Sequence, residues 1–381
     1  MIKILQALPI FLIINGVFLY LGWNGWVWLK VAFGFEHFWL YLILFSVLCY
    51  SYVIGRSVKM LSVLRIIGAY WFGVIQYGLL LLPVANLVVL LVGFTDIEGQ
   101  AIIFWTGVVV LLSLAILLLI GTYNAYSPVI RTYEIHIPKP NSDIHLRLGV
   151  ASDMHFGGLS GISHAKKMVQ FINSFKPDLI LLPGDVIDDQ LEPFISKNIG
   201  NIMSELQASL GVYGVLGNHE YYGGDIPEYI EEMKKQNISI LTDDIIIIND
   251  TIQLIGRKDK TDRNRKTIQE LTNDIDPNLP LFMMDHQPAE IMEAREMGVD
   301  FIVSGHTHRG QMAPNHLITK KIFELDWGYL KKGQLHAFVS SGYGFWGPPL
   351  RIGSRSEILQ IDITFHENRT HSDQKDSDKN Q

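Results

Sequence analysis

Five short segments of this 381-residue chain place Asp, His or Asn directly after a short apolar run. Val150-Ala151-Ser152 leads into Asp153-Met154-His155, and Leu181-Leu182-Pro183 into Gly184-Asp185. Val215-Leu216 leads into Gly217-Asn218-His219-Glu220, Phe282-Met283-Met284 into Asp285-His286, and Ile302-Val303-Ser304 into Gly305-His306-Thr307-His308. Five of the thirteen histidines lie in these loops. Carboxylate, imidazole and amide oxygen together suit borderline divalent ions such as manganese, iron or zinc. Asp and His two residues apart can reach one ion from a single loop, His306 and His308 can feed two, and Asp185 can bridge them. Two ions about 4 Å apart can clamp an in-line displacement at phosphorus and make a hydroxide at neutral pH. A lone Gly-Asp is usually a turn and a lone Asn-His usually a cap. All five in this order, each after a strand, carry the argument.

The elements that must hold these loops are short apolar strands interleaved with helices. Residues 129–137 alternate, with Val129, Tyr133, Ile135 and Ile137 on one side, as a half-buried strand does. Strands are expected at 144–151, 178–182, 281–284, 301–303 and 356–365, helices at 164–175 and 227–236, and a hairpin at 245–255 broken at Asn249-Asp250. The mixture predicts sheets flanked by helices in one α/β domain, with the loops converging at the carboxyl ends of the strands. From His366 onward the chain is polar and charged, and residues 366–381 read as a disordered tail in which His371 is solvated.

The first third belongs to a different solvent. Apolar residues are 48% of the chain, and nearly all long apolar runs precede residue 121. Runs at 5–29, 38–54, 66–92 and 101–120 contain no Lys, Arg, Asp or Glu and match the roughly 20 residues that a spanning helix needs. Three further runs after the first argue against a signal peptide. Trp23, Trp26 and Trp28 suit an interfacial belt, Pro83 is expected to kink the third helix, and Asn15, Asn24, Gln76 and Asn86 to join helices. Arg56, Lys59 and Arg65 put the second loop on the cytoplasmic side, Asp96 and Glu98 the third loop outside, and the catalytic domain in the cytoplasm; Lys3 supports this and Lys30 opposes it. The expected domains are 1–121 in a cell membrane, multi-pass, and 127–365 as the catalytic domain.

The formal net charge of −7 leaves no footprint for nucleic acid, and none is expected as a partner. Cys49 is the single cysteine, so a disulfide within the chain and a zinc-cysteine site are both excluded.

The order Asp-x-His, Gly-Asp, Gly-Asn-His-Glu, a lone His, Gly-His-x-His resembles the calcineurin-like metallophosphoesterase family over residues 144–365, in its membrane-anchored bacterial branch. The resemblance implies a two-sheet sandwich flanked by helices. It implies a first metal held by Asp153, His155, Asp185 and His308, and a second held by Asp185, Asn218, His286 and His306. It gives His219 the role of protonating the leaving oxygen or steadying the transition state. Asp188 and Glu220 are expected to support the ligands. Arg309 stands where many members have Gly, and either touches substrate phosphate or fills a surface gap. Arg351 is a phosphate candidate or a loop-fixing residue. The stretch 340–351 also looks like that of membrane-associated bacterial members, some of which resemble lipid-A-pathway pyrophosphohydrolases.

The expected activity is hydrolysis of a phosphate ester or anhydride by a metal-bridging hydroxide. The substrate is expected to be lipid-linked, because the short connection 121–128 keeps the domain near the bilayer and Tyr343, Phe345, Trp346 and Leu350 could rest against acyl chains. The alternatives are a soluble nucleotide substrate with the helices as a tether, a receptor built on a dead phosphoesterase, a nuclease and a transporter. The full ligand set opposes the receptor, the acidic balance the nuclease, and the absence of ionisable residues in the spans the transporter.

Overall fold

The computed structural model describes residues 2–57, 61–139 and 145–365, leaving aside the side chains of 2–7 and 62. The expected tail at 366–381 lies outside the described residues. The chain divides into two compact units, Met1–Tyr123 with Gly347–Leu350, and Asn124–Trp346 with Arg351–Gln381.

The first unit is built on four helices, α1 (Ile2–Phe33), α2 (Phe38–Ser57), α3 (Ser62–Val92) and α4 (Gly99–Tyr126). All four are long and apolar enough to cross a membrane. Small residues let them approach. A Cβ on Gly55 would lie 2.2 Å from the Arg65 nitrogen, and one on Gly68 would lie 2.2 Å from the Tyr52 nitrogen, so α2 and α3 meet backbone to backbone. Gly107 of α4 leaves room for the Trp28 indole, whose Nε1 donates to the Phe104 carbonyl at 3.1 Å. Asn86 donates to Tyr20 Oη at 2.9 Å and Tyr50 Oη donates to Asn15 at 2.8 Å, so both amides join helices; Asn24 instead bonds the Tyr20 carbonyl of its own helix. The fourth helix runs further than its apolar stretch. Nothing in Gly-Thr-Tyr-Asn-Ala-Tyr stops it until Pro128, which disfavours helical backbone at Ser127. The connection read as 121–128 is therefore helical through Tyr126, with only Ser127 and Pro128 before the first strand.

Among its described residues the second unit holds twelve strands. They are β1 (Val129–Ile137), β2 (His145–Val150), β3 (Leu179–Pro183), β4 (Val212–Val215), β5 (Ile238–Leu241) and β6 (Asp244–Ile248), then β7 (Ile252–Gly256), β8 (Leu281–Met284), β9 (Phe301–Ser304), β10 (Gly328–Lys332), β11 (Leu335–Val339) and β12 (Glu357–Phe365). Two six-stranded sheets run β1-β12-β2-β3-β4-β5 and β10-β11-β9-β8-β7-β6. Strand periodicity explains the layers. Leu179 and Leu181 share one apolar cluster with Phe282, Met284, Phe301 and Val303 of the other sheet. Ile180 and Leu182, pointing the opposite way, pack with Met168, Val169 and Ile172 of the helix Ile162–Ser174. Met283 and Ile302 pack outward with Ile268, Ile291 and Ala294. The result is the expected sandwich, helices outside and two sheets face to face. The hairpin read at 245–255 is β6 and β7.

Candidate metal centre

The motif residues leave the carboxyl ends of β2, β3 and β4 in one sheet and of β8 and β9 in the other. Five of them hold left-handed backbone: Asp153 at φ 52°, His155 at 46°, Asp185 at 52°, His306 at 70° and His308 at 48°. Residues with a Cβ seldom adopt that region, and such strain collects where function demands a side-chain direction. The glycines of the motifs have a steric reason. A Cβ on Gly217 would come within 2.2 Å of Asp185 Oδ1, and one on Gly305 within 2.2 Å of Asp153 Oδ2.

Among the described residues four overlapping groups could hold an ion, two of them including His219 and two made of expected ligands alone. Donor atoms of Asp153, His155 and His308 lie within 4.8 Å of one another, and so do those of Asp185, His286 and His306. His155 Nε2 and His308 Nε2 face each other at 3.0 Å, and His308 Nε2 is 3.5 Å from Asp153 Oδ1. Asp185 joins the clusters, its Oδ2 lying 3.8 Å from His155 Nε2 and 3.2 Å from His286 Nε2. Asn218 Oδ1 sits 3.2 Å from His286 Nε2 and 2.8 Å from His306 Nδ1. All seven expected ligands are thus brought together.

The donor set fits divalent ions. His286 Nδ1 donates to the Pro183 carbonyl at 2.8 Å, so a neutral ring would aim its Nε2 lone pair at two acceptor oxygens. That geometry calls for positive charge, either a second proton or a metal ion. Asp153 Oδ2 is buried without a hydrogen-bond partner. Burial pushes the Asp153 carboxyl up to about 6, against the pull of His286, and pushes His155 down to about 3. A neutral imidazole is the form that ligates, and a cation would offset the cost of the buried carboxylate.

His219 lies beside this centre. Its backbone N–H donates to Asp185 Oδ1 at 2.9 Å, and its Nδ1 donates to Asp189 Oδ1 at 2.7 Å. Burial pulls its pKa down, but Asp189 and Asp185 more than compensate and hold it above the ordinary value. Glu220 supports the ligand loops as expected: its carboxylate accepts from the N–H groups of Gly217 at 2.7 Å and of Asp185 and Ile187, both at 3.1 Å.

Arg351 is not where a phosphate contact would need it. It is fully buried, and its Nε and Nη2 both donate to the Gly344 carbonyl, at 2.9 and 2.6 Å. Its Nη2 also comes to 3.3 Å of His308 Nδ1, so the guanidinium braces the loop behind that ring. Arg309 stacks with its guanidinium carbon 3.9 Å over the Trp327 ring, a partner it would have to lean away from to meet phosphate. Tyr343, Phe345 and Leu350 are buried rather than turned to lipid, and of the four expected apolar contacts Trp346 alone is exposed. Tyr343 Oη donates to the His164 carbonyl at 2.8 Å, which accounts for its inward position.

Two groups of residues escaped the sequence reading. Asp189 orients His219, yet in Asp-Asp after a Gly-Asp turn it reads as solvated. Asp285 is buried between Arg257 and Arg265, at 2.8 and 2.6 Å, and Glu290 accepts from both arginines. Gln287 donates to buried Asp259 at 3.0 and 2.9 Å. Both neighbours of His286 therefore tie down the segment 257–266, whose charges look like a surface loop in the sequence.

Residues 146–310 match the family model described as calcineurin-like phosphoesterase. A protein of Danio rerio named transmembrane protein with metallophosphoesterase domain is 28% identical over 272 residues, covering 67% of this chain and 62% of that one. An uncharacterized metallophosphoesterase of Helicobacter pylori (strain J99) is 32% identical over 251 residues, 63% of this chain and 65% of its own. One from Aquifex aeolicus is 28% identical over 260 residues, 65% of this chain and 97% of its own. The fold and the clustered ligands define a metallophosphoesterase domain. The match assigns residues 146–310 to the calcineurin-like phosphoesterase family. The match spans less than two thirds of the Danio and Helicobacter relatives' own length.

Proposed function

We propose that the protein is a membrane-anchored hydrolase of phosphate esters or anhydrides that works with two divalent ions. Asp153, His155, Asp185 and His308 would hold the first, and Asp185, Asn218, His286 and His306 the second. Manganese, iron and zinc all suit these donors. Bound there, the ions would lower the pKa of water and offset charge on the phosphoryl oxygens. The observation that carries the reading is the position of one carboxylate, Asp185, between His155 and His286. The chain's own part falls to His219. Asp189 fixes its Nδ1, so that Nε2 is the atom that meets the leaving oxygen and hands over a proton.

Asp185→Asn tests this. Turnover should be abolished and both ions weakened together, because the shared carboxylate is gone. Near-normal hydrolysis with unchanged metal content would sink the two-ion assignment.

The substrate we propose is a lipid-linked phosphate or diphosphate, met by a catalytic domain on the cytoplasmic face of the cell membrane. The support is the four membrane-capable helices and the two-residue connection, Ser127 and Pro128, between α4 and β1. A phosphate-bearing headgroup compared with and without its acyl chains, on protein in lipid discs, checks the first part; equal catalytic efficiency would remove it. Protease added to intact cells checks the second. Loss of the catalytic domain from outside would reverse the orientation drawn from Arg56, Lys59 and Arg65.

A further inference from the structure

Two large aromatic side chains stand exposed beside His219. The Trp346 ring centroid is 5.9 Å from the imidazole and that of Tyr222 is 5.4 Å away. Trp346 is 57% exposed and Tyr222 64%, whereas Tyr343 and Phe345, close to Trp346 in the chain, are buried. Trp346 is nevertheless held in place. The Gln311 side-chain amide makes both backbone hydrogen bonds of that residue, donating to its carbonyl at 2.9 Å and accepting from its N–H at 2.9 Å. Gln311 belongs to the ligand loop, and its own N–H donates to the His308 carbonyl at 2.9 Å. Tyr222 is fixed from the other direction, three residues after His219 on the helix Asn218–Gly223. An indole exposed at random on a surface costs the fold apolar burial. One whose backbone is fixed by two hydrogen bonds beside His219 has a better use, as a surface for something that arrives.

We propose that Trp346 and Tyr222 form the leaving-group subsite, and that the group departing from phosphorus is apolar or aromatic. The inference rests on the role given above to His219. If that imidazole serves the leaving oxygen, whatever is attached to the oxygen lies against these two rings. Water adds to phosphorus, the bond from phosphorus to the ester oxygen breaks, and that oxygen takes its proton from His219, which regains one from water. The products are the free alcohol and the phosphate. In a lipid-linked substrate the apolar half would leave as the alcohol and the phosphate would stay with the ligand cluster.

Methyl, decyl and phenyl phosphate test this, with inorganic phosphate release as the readout on the full chain in lipid discs. Methyl and decyl esters share the reactivity of their leaving oxygen and differ in apolar surface; phenyl separates a flat ring from a chain. An ester that is not turned over is ranked by its inhibition of bis(4-nitrophenyl) phosphate hydrolysis. Trp346→Ala should lower kcat/KM for the decyl or the phenyl ester by about 10-fold and for the methyl ester by less than about 2-fold, with Trp346→Phe restoring most of it. A decyl-selective loss identifies a chain as the occupant and a phenyl-selective loss a ring. Equal losses on all three esters, or none, would overturn the subsite. His219→Ala separates the two ideas: it should slow the methyl and decyl esters alike, and if it slows neither, the role of His219 fails rather than that of Trp346.

Discussion

The two units solve opposite problems with the same residue types. In the four helices, Leu19, Trp39, Leu90 and Leu119 are exposed, and the closest backbone approaches are made at small residues such as Gly55 and Gly68. In the catalytic unit the apolar side chains are inside and so are charged ones: Asp153, Asp185, Glu220, Asp259, Asp285, Arg257 and Arg351 are all buried. A hydrocarbon solvent gives no reason to hide leucine, so packing there depends on close backbone approach. Water gives every reason to hide it, and a charge buried alongside must be paired or given a function. The difference teaches where to look for chemistry, because these seven side chains lie in the segments that follow the carboxyl ends of β2, β3, β4, β7, β8 and β11.

Three substitutions sharpen or break that contrast. His219→Ala removes the group proposed to serve the leaving oxygen, one with little fold to support. It should cost a factor of about 10² to 10⁴ in kcat while leaving both ions and the thermal midpoint in place. Metal analysis that found one ion gone would move His219 among the ligands. Asp285→Ala removes a buried charge with a structural task. Arg257 and Arg265 would lose the buried one of the two carboxylates they share, and stability should fall by about 3–5 kcal/mol, read by denaturant unfolding of the catalytic unit's signal. A loss no larger than that of an exposed substitution would mean that the buried ion cluster does not matter to the fold. Gly107→Val addresses the helices, where a Cβ would lie 1.9 Å from Trp28 Cδ1. Overpacking there should cost about 1–3 kcal/mol, measured as a lower unfolding midpoint in detergent, with kcat/KM on a soluble ester unchanged. An unaltered midpoint would show that the helices are not packed at this point.

The sequence made the clustering of the candidate ligands legible because each is a polar residue placed shortly after a buried strand, where the apolar run ends. It made β8 legible to the residue, since Leu-Phe-Met-Met is apolar on both faces. It hid β10, where Tyr329, Lys331 and Lys332 mix with Leu330 in an edge strand, and it hid β11, whose Leu335–Val339 follows Gly-Gln without a clear alternation. Asp189, Arg257 and Arg265 were illegible for another reason. Their partners lie 30, 28 and 20 residues away, as Asp189 with His219 and the arginines with Asp285, and no local pattern encodes a pairing at such distance. Arg351 shows the limit of residue type as evidence: an arginine near a phosphate site can serve the loop instead.

The central claim is that the clustered side chains hold two ions with Asp185 between them. Anomalous diffraction from crystals grown with manganese tests it most directly. The account predicts two peaks about 4 Å apart, one among Asp153, His155 and His308, the other among Asn218, His286 and His306, both in contact with Asp185. A single peak, or two peaks with Asp185 touching only one, would contradict it.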